Sequence, residues 1–230
     1  MGEIRVGQGE GVPVDLRRST RARRISLRVS ALDGRVTLTV PQHVKTKVAL
    51  EFAEEKSGWI AKALERQNPV VMVEIGSDVP VFGALRKIVP GSGRVAKIKD
   101  GVIEAPEGRV GPAVQACLKA LARDRLVEAS DRYAAALGRP YGRITLRDTR
   151  SRWGSCSSDG NLMYSWRLIL APPDVLDYVA AHEVAHLAHM DHSKAFWGAV
   201  ERLCPAYETP RAWLRTEGAR LHSYRFSSND

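Results

Sequence analysis

Cysteine is scarce in this chain, and the three present, Cys117, Cys156 and Cys204, are odd in number and far apart. They form no C-x-x-C pair, so no disulfide framework is expected and a reducing compartment fits. Long apolar runs are missing too, since no uninterrupted stretch approaches the length of a membrane span. The N-terminus, Met1 to Leu16, lacks the apolar core of a signal peptide, so a cytoplasmic protein with no membrane partner is expected. There is no internal repeat and no low-complexity segment, which excludes a solenoid or a linker-like chain. Aromatic residues make up only 7% of the sequence, and none interleave with its densest basic cluster.

That cluster is Arg17-Arg18-Ser19-Thr20-Arg21-Ala22-Arg23-Arg24, in a chain whose formal net charge is +9. Arginines at this density can bind phosphates, with an affinity that falls steeply with salt. They can equally form a solvated arm or guard an exposed strand edge. Without a nucleic-acid motif the charge predicts nonspecific association, and nucleic acid stays open as a partner. The 230 residues, 44% hydrophobic and 27% charged, suffice for one large domain or two small ones.

Histidine is also rare, but four of the six fall in one run, His182-Glu183-Val184-Ala185-His186-Leu187-Ala188-His189-Met190-Asp191-His192. The run contains H-E-x-x-H. On a helix, His182 and His186 stand one turn apart on the same face, where their imidazoles can grip one Zn²⁺. Glu183 flanks that stripe within reach of a water activated by the metal. The helix has its own start signal in Pro172-Pro173-Asp174, and Val175, Val179, His182 and His186 follow at helical spacing. Leu176, Ala180, Val184 and Leu187 mark a neighbouring apolar stripe for the core.

Geometry restricts the third ligand. On a straight helix His189 would lie roughly 7.5 Å along the axis from a metal held between 182 and 186. The chain must therefore turn first. Ser193 is a natural N-cap for a new helix carrying Phe196, Trp197, Val200 and Leu203, and such a turn swings His192 back toward the metal. Three protein ligands and one open position make a catalytic zinc site. Glu201 or Glu208 is the alternative third ligand. The spacing also matches the metzincin pattern H-E-x-x-H-x-x-G-x-x-H, except that His189 replaces the glycine. His189 then reads as a group supporting a ligand or as a helix C-terminal residue.

Along the rest of the chain, Ile25, Leu27 and Val29 alternate with polar residues, as do Val36, Leu38 and Val40, around Asp33-Gly34; this predicts a hairpin. A helical stripe runs from Thr46 to Gln67, with Gly58 a soft point. Residues 70 to 104 read as short strands joined by glycine turns, and Glu107 to Pro112 as a linker. A long helix follows from Ala113 to Leu137, ended by Gly138 and Pro140. Strands are predicted at Ile144 to Arg147 and around Leu162 to Leu170, then the histidine helix and two more helices. The fold class is α+β, with an N-terminal β-rich portion containing one helix over residues 1–110 and a second portion over 111–230. The site would lie in a cleft between sheet and helix.

Several segments together resemble the YgjP-like metallopeptidases, predicted zinc-dependent hydrolases of the zincin class that are distantly SprT-like. They are Ser151-Arg152-Trp153-Gly154-Ser155-Cys156-Ser157, Trp166-Arg167-Leu168, Ala171-Pro172, Asp177-Tyr178-Val179, the H-E-x-x-H, and His192-Ser193-x-x-Phe196-Trp197. The Arg-rich hairpin, Trp59-Ile60 and Phe82-Gly83 fit as well. The resemblance implies His182, His186 and His192 as zinc ligands, Glu183 as catalytic base, and a zincin core of helix, small sheet, H-E-x-x-H helix and C-terminal helices. Met163-Tyr164-Ser165 departs from the pattern, where a more Asn-containing stretch is expected.

Residues 150 to 156 precede a strand that can line the cleft and take a peptide as an added strand. Arg152 is a candidate for binding a substrate carboxylate or polarising a carbonyl. Trp153 either contacts substrate or packs a tight turn, and Cys156 is not expected to be a ligand. The function implied is hydrolysis of peptide bonds in a peptide or protein substrate, by a zinc-activated water with Glu183 as general base. Arg152, Tyr207 and His222 are candidates to stabilise the oxyanion. The alternatives are a nucleic-acid-associated, SprT-like protease and a zinc-stabilised interaction protein without turnover.

Overall fold

Alternating valines and leucines build the first sheet. The computed structural model describes residues 2–30, 33–65 and 68–227. Strands β1 (Gly2–Val6), β2 (Val12–Ser19), β3 (Ser26–Val29) and β4 (Val36–Pro41) lie in the order β1-β2-β4-β3. β2 and β4 run parallel, and the outer pairs are antiparallel. The predicted hairpin is present as the β3–β4 pair, with Gly34 at φ 71°. Helices α1 (Thr46–Glu55) and α2 (Ser57–Glu65) bury Ala49, Ala53 and Ile60 in one core with Val14, Val36, Leu38 and Val40. One helix softened at Gly58 was expected, but the break falls at Lys56, where φ is −93° and ψ is 5°. Two short helices can each lay an apolar face on a twisted sheet, which one straight rod cannot follow. Arg66 and Gln67, the end of that expected helix, lie outside the described residues.

One arginine of the basic run is committed to this fold. Arg18 donates to the carbonyls of Gln42 and Val44 and to Thr46 Oγ1, at 3.2, 2.9 and 2.8 Å. It ties β2 to the loop that enters α1.

The chain divides into two compact units, residues 1–69 and 70–230. The sequence placed the boundary near 110, but residues 70–105 share their core with the long helix after them. Strands β5 (Val71–Met72), β6 (Asp78–Val81), β7 (Ala84–Pro90), β8 (Lys97–Lys99) and β9 (Val102–Ala105) include a four-stranded sheet of order β6-β7-β9-β8. Its Ile88, Ile103 and Ala105 are buried with Val114, Leu118, Ala122 and Leu126 of α3 (Val110–Leu137). The expected linker at 107–112 is instead a 3-10 turn, Glu107–Arg109, leading straight into α3. Pro112 is tolerated because it sits in the helix's first turn. Gly138, at φ 68°, ends the helix as predicted.

The site rests on a further, three-stranded sheet. β10 (Ile144–Arg147), β11 (Gly154–Cys156) and β12 (Leu162–Ser165) lie in the order β10-β12-β11, leaving β11 at an edge. The strand expected to run to Leu170 stops at Ser165, and Trp166–Leu170 forms a 3-10 turn, all five residues buried. A continuous apolar run carries no period that separates strand from buried helix. Arg167 fixes this turn: it donates to both oxygens of Asp148, at 2.7 and 3.0 Å, and to the carbonyls of Leu221 and Tyr224, at 2.9 and 3.0 Å. Then come α4 (Pro173–Ala185), α5 (Lys194–Leu203), α6 (Glu208–Glu217) and β13 (Tyr224–Arg225), which pairs in parallel with β5. The molecule is of mixed α and β class, and among the described residues no helix is long and apolar enough to cross a membrane.

Candidate functional site

Helix α4 begins with Pro173 in its first turn and Asp174 beside it, at the positive end of the dipole. It ends at Ala185, with His186 as C-cap. The chain then folds over itself: the amides of Leu187, Ala188 and His189 donate to the carbonyls of Val184, Ala185 and Ala185. Ser193 caps α5, its Oγ accepting from the Phe196 amide at 3.4 Å. This is the turn that the spacing required. It brings His192 back so that one ring nitrogen from each of His182, His186 and His192 lies within 4.8 Å of the others. His182 Nε2 and His192 Nε2 stand 3.2 Å apart. Among the described residues no carboxylate or thiol joins this group, so Glu201, Glu208 and Cys156 stand outside it.

His189 contributes through its backbone. His186 Nδ1 lies 2.9 Å from the His189 carbonyl oxygen and, as donor to it, keeps Nε2 free as a lone-pair ligand. His189 does not adopt the left-handed conformation; among the described residues only Phe82 and Asp100 do so without being glycine. The turn thus differs from one built on glycine. Phe196, fully buried, stacks on the His186 ring at 4.4 Å and meets His182 and His192 at 4.9 and 4.8 Å. It backs all three imidazoles.

Electrostatics favour neutral, lone-pair-bearing imidazoles. Burial, then the neighbouring His186, His192 and Arg211, pushes the His182 pKa down to about 3. Burial also lowers that of His186. The buried His182 Nδ1 has no hydrogen-bond partner. The His182 and His192 rings facing each other nitrogen to nitrogen, with no carboxylate between them, fit a shared cation.

Glu183 lies one residue round the helix and is buried. Burial lifts its pKa to about 8, against a smaller opposing effect of Arg152. Its neighbour is Gly154, where a Cβ would stand 2.5 Å from Glu183 Oε1 and 2.6 Å from Cγ. Only glycine lets the edge strand β11 pass so close to that carboxyl.

A cleft of about 360 Å³ opens over these groups, lined by Arg152, Trp153 and Gly154, by Tyr178, His182 and Glu183 of α4, and by Arg211, Leu214 and Arg215 of α6. Arg152 and Trp153, both singled out from the sequence, thus reach it. Trp153 also packs: its ring lies 5.1 Å from that of His222 and presses against Gly218, where a Cβ would come within 3.0 Å. His222 and Tyr207 do not line the cleft. Tyr207 stacks between Tyr178 and Trp197, at 6.4 and 5.5 Å. Sequence reasoning missed Gly154, Phe196, Tyr178 and Arg211 as site residues. Tyr178 alone carried a local signal, one turn ahead of His182 on the same stripe.

The sequence matches the family described as YgjP-like, metallopeptidase domain, over residues 23–217. Among solved structures it is similar to the metallopeptidase zymogen of Pyrococcus abyssi, abylysin. That likeness has 21% identity and a TM-score of 0.34, and covers 42% of this chain and 95% of that one. A search of curated proteins finds no match.

Proposed function

The chain belongs to the YgjP-like metallopeptidase family, and from that premise we propose a zinc-dependent peptidase in which His182, His186 and His192 hold the metal and Glu183 is the general base. The observation that carries this reading is the convergence of three imidazole nitrogens beside a buried carboxyl. Zn–N bonds of about 2.0–2.1 Å set two ligands of a tetrahedral centre about 3.4 Å apart, close to the contact between His182 and His192. Zinc bound there would polarise a carbonyl and acidify a water.

The protein's own groups do the rest. His186 is held in one tautomer by the His189 carbonyl. Glu183 takes a proton from the attacking water and delivers it to the leaving amine. Burial holds its pKa high in the metal-free site, and a dication held by the three imidazoles would lower it, leaving the carboxylate free to accept. Arg152 and Tyr178 line the same cleft and supply donors for the developing oxyanion. The edge strand β11 leaves one side open for an extended peptide to pair along it.

A purely structural zinc would leave Glu183 as a buried carboxyl with no task, at a cost in stability. Stripping the protein with a chelator and titrating zinc back, while following peptide cleavage, tests the assignment. Activity should return at one zinc per chain. His192→Ala should lose tight zinc binding and at least about 100-fold in turnover. Full activity in the stripped protein, or in His192→Ala, would refute it.

A further inference from the structure

The cleft is unevenly charged. Glu183 is the one acidic residue lining it among the described residues, against three arginines: Arg152 on the wall before β11, and Arg211 and Arg215 on α6. The two α6 arginines are four residues apart, so they project from the same helix face, with Leu214 of the cleft beside them. Neither makes an ion pair among the described residues, although α6 carries acids of its own. Glu217 pairs instead with Arg220, at 3.3 Å.

Arg211 is also held in place. Its guanidinium lies 4.3 Å from the centre of the Trp197 ring. That ring stacks on Tyr207 at 5.5 Å and stands 5.8 and 6.0 Å from the rings of His182 and His192. A guanidinium fixed on an aromatic face presents a planar fork of donors, a shape matched by a carboxylate. A surface arginine that only kept the protein soluble would need no such support.

We infer that Arg211 and Arg215 form a carboxylate subsite, so that the peptides this cleft takes carry a carboxylate close to the scissile bond. It is either the side chain of an acidic residue or a free C-terminus. The inference rests on the peptidase reading for the nature of the bond cleaved, but the subsite can be measured without turnover.

Zinc-loaded Glu183→Gln protein is titrated into three peptides of equal length, each carrying the same uncharged fluorophore, read by anisotropy. One is neutral except for a central glutamate, with an amidated C-terminus. The second is neutral with a free C-terminal carboxylate, and the third is neutral and amidated. At low salt one of the first two should bind about tenfold more tightly than the third, and the one that does identifies the carboxylate's source. Added salt should shrink the difference, and Arg211→Gln with Arg215→Gln should erase it. Circular dichroism checks that the double variant is folded, and the three-peptide comparison stands without it. Equal binding of all three peptides, or a preference that survives the double replacement, overturns the subsite. Cleavage of the neutral amidated peptide by wild type as fast as the others also overturns it, yet leaves the peptidase standing. Carboxylate-selective binding with no cleavage of any peptide does the reverse.

Discussion

The missing side chain of Gly154 and the carboxyl of Glu183 occupy the same space. Gly154→Ala should therefore push the Glu183 carboxyl away from the imidazoles without touching any of them. The expected outcome is a loss of about 100-fold in kcat with zinc content unchanged, since small misplacements of a reacting group cost that much; metal analysis beside steady-state kinetics checks it. Glu183 also sets a pH dependence. Its folded pKa of about 8 lies above the unfolded value of 4.5. Its contribution to stability is therefore whole below pH 4.5 and is lost as pH rises from there through 8. In metal-free protein at about pH 8, Glu183→Gln should then be more stable than wild type by about 4 kcal/mol, measured by urea unfolding. The convergence of His182, His186 and His192 was legible because the spacing of the first two on one helix, and the turn required before the third, are themselves the signal. Gly154 and Phe196 were not, because what makes them matter is contact with residues far away in the chain or beyond a turn.

Among the elements, α4 was the most legible, with proline at its start and a required turn at its end. The Trp166–Leu170 turn was the least: its apolar run has no period, and what shapes it is Arg167, whose partners lie 19 residues before it and 54 and 57 after. Arg167 is almost wholly buried, and it holds the Asp148 pKa below the usual carboxylate value. Burial pushes that pKa up, but the Arg167 hydrogen bonds and charge, with smaller effects of His222 and Trp166, outweigh it. Arg167→Leu leaves Asp148 and two carbonyls without their donor. It should cost about 2–3 kcal/mol, less than for a fully buried pair because the Asp148 side chain stays 36% exposed, seen as a lowered melting temperature with zinc affinity intact. The Phe82-Gly83 turn between β6 and β7 belongs to the same junction, its two amides donating to the carbonyls of Ile169 and Leu170 at 2.8 and 3.3 Å. Its register was not readable, because phenylalanine rarely adopts the positive φ of 52° found here. Lys56 shows the same limit: periodicity described both halves of one helix, and packing on the sheet decided where it broke.

At the scale of the molecule, the order of strands and helices gave the mixed class, and the histidine run gave the chemistry. The extent of the shared core was hidden, since nothing local ties Ile88 or Ile103 to α3. The basic run also reads differently once folded, because Arg18 is occupied by backbone carbonyls. The peptidase reading expects cleavage without DNA or RNA; strict dependence on either, measured by adding a defined single strand, would favour the nucleic-acid-associated alternative. The most direct test of the central claim is cleavage of a peptide library, read by mass spectrometry, by zinc-loaded wild type beside zinc-loaded Glu183→Gln. Cut peptides should appear with wild type alone, at equal zinc content in both. Equal cleavage by the two proteins, or none by zinc-bound wild type, would contradict a zinc peptidase with Glu183 as its base.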